Sequence, residues 1–190
     1  MERCGWANTG ELEIKYHDEQ WGVPVHDDRL LFEMLILEGA QAGLSWSTIL
    51  KKREAYIEAF DNFDAEKISK YSDAKINELM NNAAIVRNKL KINSAITNAK
   101  IFLEIQKEFG SFDRYIWSFV NGHPINNKWA VLSDVPVSST ESDEMSKSLK
   151  KKGFKFIGTT ICYAYMQAVG MVNDHLISCF RHSEVEKLQS

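Results

Sequence analysis

The sequence predicts an all-α, multi-helix fold built as a single domain, and three observations carry that reading. Apolar residues recur at helical spacing almost throughout, and few stretches alternate as strands do. Capping residues and glycines cut the chain into many short helices. No internal repeat, low-complexity tract or linker interrupts it, and 190 residues at 44% hydrophobic suffice for one sizeable core.

In chain order, an irregular, largely polar N-terminal segment runs to about Val25. Asp27 or Asp28 then caps a strongly apolar helix that ends near Gly39 to Gly43. Ser45 caps a second, whose Trp46, Ile49, Leu50, Ile57 and Phe60 form the buried stripe, with Lys51, Lys52 and Arg53 on the solvent side. Asp64 and Ser72 each open a short helix. A longer one spans about Arg87 to Phe109, with Leu90, Ile92, Ile96, Ala99 and Leu103 buried and Gly110 as its stop. Ser111 begins another through Tyr115, Trp117 and Phe119. Residues 121–139 hold His123-Pro124 and Val135-Pro136 among polar residues and read as a long surface connection. Helix resumes from Ser142 to Lys152, stops at Gly153, restarts after Gly158 and runs through Tyr163, Met166 and Val169 to Gly170. Asn173 to Cys179 makes a last short helix.

The net charge of -3 creates no global field toward nucleic acid or membrane, so any polyanion must be met by local patches. Three cysteines are an odd count, and Met1-Glu2-Arg3-Cys4 leads into polar sequence rather than an apolar leader. A reduced, cytoplasmic protein is expected. No apolar run approaches the roughly 18 residues that a membrane span requires.

Chemistry concentrates at four places. Glu38 follows Met34, Leu35, Ile36 and Leu37 and precedes Gly39, Ala40, Ala42, Gly43 and Trp46, so it is expected to be buried beside a cavity. Such a carboxylate is costly unless compensated. Either a ligand supplies the compensation, or the side chain escapes to solvent or caps a backbone amide. The N-terminal segment also supplies Trp6, Tyr16 and Trp21: Trp6 and Trp46 could wall a slot that suits a planar cation, with Tyr16 and Glu38 as its polar contacts, although each ring taken alone is more often plain core.

The second place is LKKKGFKFIGTT, two helices joined by a short turn between Gly153 and Gly158. Lys147, Lys150, Lys151, Lys152 and Lys155 surround the start of the second helix, whose free amides favour an anion such as a phosphodiester. A solvated helix end is the alternative. The third is His175 and Cys179, four residues apart and so on one face of a helix. With the fourth, Cys4 and His17, they could complete a tetrahedral Cys2His2 zinc site stapling the N-terminal segment to the C-terminal helix. The usual finger spacing is absent, and buried cysteines beside polar histidines are the alternative. Four protein ligands would leave no open position and make the zinc structural. Cys162 reads as core, and His26, His123 and His182 as loop or tail residues.

The segments MERCGW, YHDEQWGVP, LEGAQAGLSW and GFKFIGTTICYAYMQAVGMVNDH together resemble the 3-methyladenine DNA glycosylase I family, helix-hairpin-helix base-excision enzymes, along nearly the whole chain. The resemblance implies hydrolysis of the N-glycosidic bond of N3-methyladenine in double-stranded alkylated DNA. Free 3-methyladenine and an abasic site would result, with no lyase step. It implies one structural zinc per chain on Cys4, His17, His175 and Cys179, joining the termini (about 1–25 and 171–190) of a single 1–190 domain, and no organic cofactor. Glu38 is implied as the catalytic and base-recognising acid, with Tyr16 beside it, Trp46 stacking and Trp6 lining the pocket. Lys151, Gly153, Lys155, Gly158 and Thr159 would hold the DNA backbone in a helix-hairpin-helix element. Gln41, Gly43 and Leu44 would form the wedge that fills the gap in the duplex. A monomer without membrane partners is expected.

Many helix-hairpin-helix glycosylases use an Asp just beyond the hairpin. Here TTICYAYMQAVG holds no acid before Asp174, so no Asp is expected to do that work. Two rival readings differ in their demands. A zinc-stabilised DNA-binding module would not need Glu38, and a small-molecule binding protein would be indifferent to charge reversal at Lys151 and Lys155.

Overall fold

Ten α-helices, four short 3-10 helices and one pair of two-residue strands account for the regular structure of the described residues, 1–188, in the computed structural model. Gln189 and Ser190, included in the expected domain, lie outside the described residues. The axis is α2 (Asp28–Gln41), buried on every side from Leu31 to Ala40. A helix apolar all round belongs in an interior. Asp27 starts it by accepting the Leu30 N–H at 2.8 Å.

Around α2 pack α3 (Trp46–Ala59), α6 (Lys89–Phe109), α7 (Phe112–Trp117) and α9 (Thr159–Ala168). The remaining helices are α1 (Glu11–Glu19), α4 (Ala65–Ile68), α5 (Asp73–Asn81), α8 (Thr140–Lys152) and α10 (Phe180–Leu188). The caps expected at Ser45, Asp64, Ser72 and Ser111 all form, each side chain accepting a backbone N–H from the first turn. One contiguous apolar core joins these elements.

Several elements depart from the sequence reading. The N-terminal segment is not irregular: a 3-10 helix spans Gly5–Thr9 and α1 follows. Its buried stripe is Glu13, Tyr16 and His17, so apolar periodicity missed a helix whose inward face is polar. Leu90 is 71% exposed, and the buried face of α6 instead includes Ile92, Ile96, Ala99, Phe102 and Ile105. Arg53 leaves solvent to bond Glu33 and Gln20. Residues 121–139 are partly structured, since β1 (Ile125–Asn126) pairs in parallel with β2 (Val172–Asn173). His182, read as a tail residue, is buried and bonds the Asn127 carbonyl at 2.8 Å.

The last short helix does not form at residues 173–179. Asn173 is in β2, residues 174–179 are a turn, and α10 begins only at Phe180. The Asn173 carboxamide accepts the His175 N–H at 3.3 Å, a local side-chain bond that competes with helix. At Gly170 (φ 73°) a Cβ would lie 2.4 Å from the backbone of Val23 and Pro24, so only glycine lets the N-terminal segment lie flush against the end of α9.

Candidate active site and metal centre

A cavity of about 320 Å³ opens at the C-terminal end of α2. Glu38 and Gln41 line it from α2, Trp46 from α3, Tyr16 from α1, and Cys4, Trp6 and Trp21 from the N-terminal segment. Such a volume suits a small flat ligand. Trp6 meets Trp21 edge-on with centroids 5.1 Å apart, and Tyr16 lies 5.3 Å from Trp46. The four expected residues Glu38, Tyr16, Trp46 and Trp6 therefore share one pocket. Trp21, Leu132, Val135, Ala164, Gln167 and Asp174 join them, none of which the sequence reading assigned to it.

Polar groups in this pocket lack protein partners. Glu38 is 4% exposed and accepts no hydrogen bond among the described residues, and burial lifts its pKa to about 8. Neither escape to solvent nor backbone capping, the alternatives open from sequence, occurs. Glu33, on the same helix, shows the contrast: it is equally buried but pairs with Arg53 at 2.7 Å and Arg29 at 3.2 Å. The Tyr16 phenol is pushed well above its ordinary range, first by burial and then by the neighbouring Glu38 charge. The Trp46 indole N–H is buried without an acceptor among the described residues.

Asp174 has the opposite character. It is 2% exposed and accepts four hydrogen bonds, from Asn127 and Trp129 on one oxygen and from Tyr163 and Gln167 on the other, at 2.7–2.8 Å.

Behind the aromatic wall, Cys4, His17, His175 and Cys179 are all buried, with donor atoms within 4.8 Å of one another. Cys179 Sγ lies 3.4 Å from His17 Nε2 and 3.7 Å from His175 Nδ1, and Cys4 Sγ lies 3.8 Å from His175 Nδ1. A tetrahedral zinc with ordinary bond lengths sets sulfur and nitrogen roughly 3.6 Å apart, so the four residues fit the ion.

The outer bonds agree. His17 Nδ1–H donates to Asp18 at 2.8 Å, and His175 Nε2–H donates to the Trp21 carbonyl at 3.0 Å, which turns the unprotonated nitrogen of each ring toward the thiols. Asp18 is itself gripped by Arg3 at 2.7 Å. The Cys179 thiol is pulled below its ordinary range, chiefly by the hydrogen bond from the Cys4 thiol, which favours the thiolate that metals bind. His175 and Cys179 converge through a turn, not along a helix face.

The turn after α2 and the hairpin lie on one side of the pocket. Gln41, Ala42, Gly43 and Leu44 share a second cavity with Glu38 and with Thr160, Ile161 and Ala164 of α9. Leu44 is 41% exposed. The hairpin turn is tightly specified: Gly153 takes a left-handed φ of 102°, and Asn98 bonds the Lys155 N–H at 2.9 Å and its carbonyl at 3.1 Å.

Among the described residues no side chain caps α9, which leaves its first amides open. Thr159 is there, but its hydroxyl is used within the hairpin, by Ser142 and Asp143. Gly158 precedes it, and Lys147, Lys150, Lys151 and Lys155 are exposed nearby. Lys152 departs from the expected cluster, pairing with Glu108 at 2.7 Å over the Phe109 ring.

Comparisons with known proteins agree with this geometry. The family model for methyladenine glycosylase matches residues 6–182. The chain is 49% identical to DNA-3-methyladenine glycosylase 1 of Escherichia coli (strain K12), over 94% of this chain and 96% of that protein. A crystal structure of 3-methyladenine DNA glycosylase I is similar at 48% identity and a TM-score of 0.92, over 94% of this chain and 98% of the other. A variant 3-methyladenine DNA glycosylase I in complex with 3-methyladenine is similar at 37% identity and a TM-score of 0.91, over 95% of this chain and 97% of the other. With a family model matched over most of its length and relatives alike nearly end to end, this chain belongs to the methyladenine glycosylase family.

Proposed function

We propose that this protein is a base-excision repair glycosylase that hydrolyses the N-glycosidic bond of N3-methyladenine in alkylated double-stranded DNA. It releases free 3-methyladenine and leaves an abasic site. The observation that carries the reading is Glu38, a buried acid without a protein partner in an aromatic pocket, in a chain of this family. The names of relatives called DNA-3-methyladenine glycosylase, and a similar structure in complex with 3-methyladenine, support the substrate.

The mechanism follows from charge. A base inside a duplex must be extruded before chemistry, and a damaged base costs less to flip. The hairpin of α8 and α9 grips the phosphate backbone through open amides and Lys151 and Lys155, without reading sequence. Gln41, Gly43 and Leu44 fill the gap left in the stack. N3-methylation makes the adenine a cation in the nucleoside, so aromatic faces and Glu38 select it over neutral bases. The arriving cation lets Glu38 ionise and accept a hydrogen bond from the base, while Tyr16, held as a neutral phenol, fixes its orientation.

Water then bonds to C1′, the glycosidic electron pair leaves with the base as a neutral molecule, and a proton passes to solvent. A lyase step would require an amine nucleophile, and no lysine lines the pocket among the described residues. Zinc, one per chain, would be held by Cys4, His17, His175 and Cys179. It would supply a structural tether between the termini of a single-domain monomer, since four protein ligands would leave it no open position.

Single-turnover release of 3-methyladenine from methylated duplex DNA, the intact protein against Glu38→Gln, tests the reading. The intact protein should release the base and the variant should lose at least about a hundredfold in rate. Equal release would remove Glu38 from the chemistry, and no release from either would favour a DNA-binding module without catalysis.

A further inference from the structure

The pocket has a wall that the proposed mechanism does not use. Leu132 and Val135 line it from the connection between β1 and α8, on a 3-10 turn at Leu132–Asp134. Leu132 is 52% exposed, an apolar side chain left wet at the rim of an apolar slot. The turn has few bonds of its own. Within it the backbone closes locally, Asp134 N–H to Val131 and Val135 N–H to Leu132 at 3.1–3.2 Å. Its firm anchors lie upstream, where Asn127 and Trp129 each donate to Asp174 at 2.7 Å and Trp129 accepts the Ile177 N–H at 3.0 Å.

Asp174 is fastened in turn to α9 by Tyr163 and Gln167. An ionised carboxylate has about four acceptor sites, and here four donors occupy them. No lone pair remains to orient a water molecule.

Resting on the reading of this cavity as the 3-methyladenine site, we propose that the Leu132–Val135 turn is the wall that closes over the bound base. Asp174 is the positioning residue that holds this wall through Trp129 and Asn127, and it does not activate water. A base that fills the slot covers Leu132, so the wall contributes to affinity and sets how bulky a base the slot accepts.

Titration of free 3-methyladenine into the metal-replete protein by calorimetry, beside single-turnover excision, tests this. Leu132→Ala, a rim substitution that leaves the core intact, should weaken base binding about fivefold and slow excision by no more than that factor. Leu132→Met should restore most of the affinity. Trp129→Phe, which deletes one bond to Asp174, should weaken the base in the same direction with unchanged metal content. Asp174→Asn should behave likewise.

Base affinity in Leu132→Ala equal to that of the intact protein would overturn the wall. Excision abolished in Asp174→Asn with base affinity intact would overturn the positioning role and assign Asp174 to the chemistry. No binding of the base by the intact protein would instead defeat the reading of the pocket, and the wall with it.

Discussion

Glu38 and Glu33 show how much one side chain's partners decide. Both sit on α2 and both are buried, yet Glu33 has two arginines and Glu38 none. With its pKa raised from 4.5 to about 8, Glu38 keeps a proton in the folded state that the unfolded chain has lost. Its contribution to stability is therefore greatest below pH 4.5 and is lost as pH rises through 8. Glu38→Gln should melt at a higher temperature than the parent at pH 8–9, by a free energy on the order of a few kcal/mol, and the advantage should vanish near pH 4. Thermal melts across that range check it, and equal curves at all pH would mean that the carboxyl is solvated. The same proton couples to substrate. If the cationic base requires the carboxylate, binding of the damaged nucleotide strengthens as pH rises toward 8 and then levels off. The Gln variant should show no such rise.

Among the elements, the C-terminal end of α2 is braced from outside. Lys91, at the start of α6, reaches across to the Ala40 carbonyl at 2.8 Å and the Ala42 carbonyl at 2.6 Å. Helix ends leave carbonyls unsatisfied, and a cation there also meets the negative end of the dipole. The braced residues lead directly into the Gln41–Leu44 turn, so Lys91 holds the proposed wedge at a fixed height above the pocket. Lys91→Met should cost about 1–3 kcal/mol in stability. It should also slow excision from duplex DNA about tenfold while changing affinity for the free base by less than about twofold. Single-turnover kinetics beside base titration separate the two, and equal losses in both would place Lys91 in the pocket's integrity rather than the wedge.

At the scale of the whole molecule, the Cys4–His17–His175–Cys179 cluster and the pocket are one construction. Tyr16 and His17 are neighbours on α1, and Cys4 itself lines the cavity. Trp21 packs edge-on against His175 at 4.7 Å. Releasing the N-terminal segment would therefore dismantle the aromatic walls as well as a tether. Removal of bound metal by a chelator should lower the melting temperature by roughly 10–20 °C, the equivalent of about 5 kcal/mol for a chain of this size. It should abolish base binding in parallel, and re-addition of zinc should restore both. A chelated protein that still binds the base would separate the two functions.

Much was legible in the chain. Helical spacing and the caps at Asp27, Ser45, Asp64, Ser72 and Ser111 located most helices, because caps and amphipathic stripes are written in residues a few positions apart. The hydrophobic run around Glu38 announced a buried acid for the same local reason. Three things were not legible. Helix α1 turns Glu13, Tyr16 and His17 inward, so its polarity hid its periodicity. The turn at 174–179 replaced a helix because Asn173 binds the backbone ahead of it. Leu132, Val135 and Asp174 reached the pocket through pairing of β1 with β2, contacts between residues about 47 positions apart that leave no periodic trace. Local pattern thus decides which residues form helices and which side chains are costly to bury. Which of those side chains meet, and whether a buried carboxylate such as Glu38 or Asp174 has partners, depends on long-range packing that only the folded chain brings about.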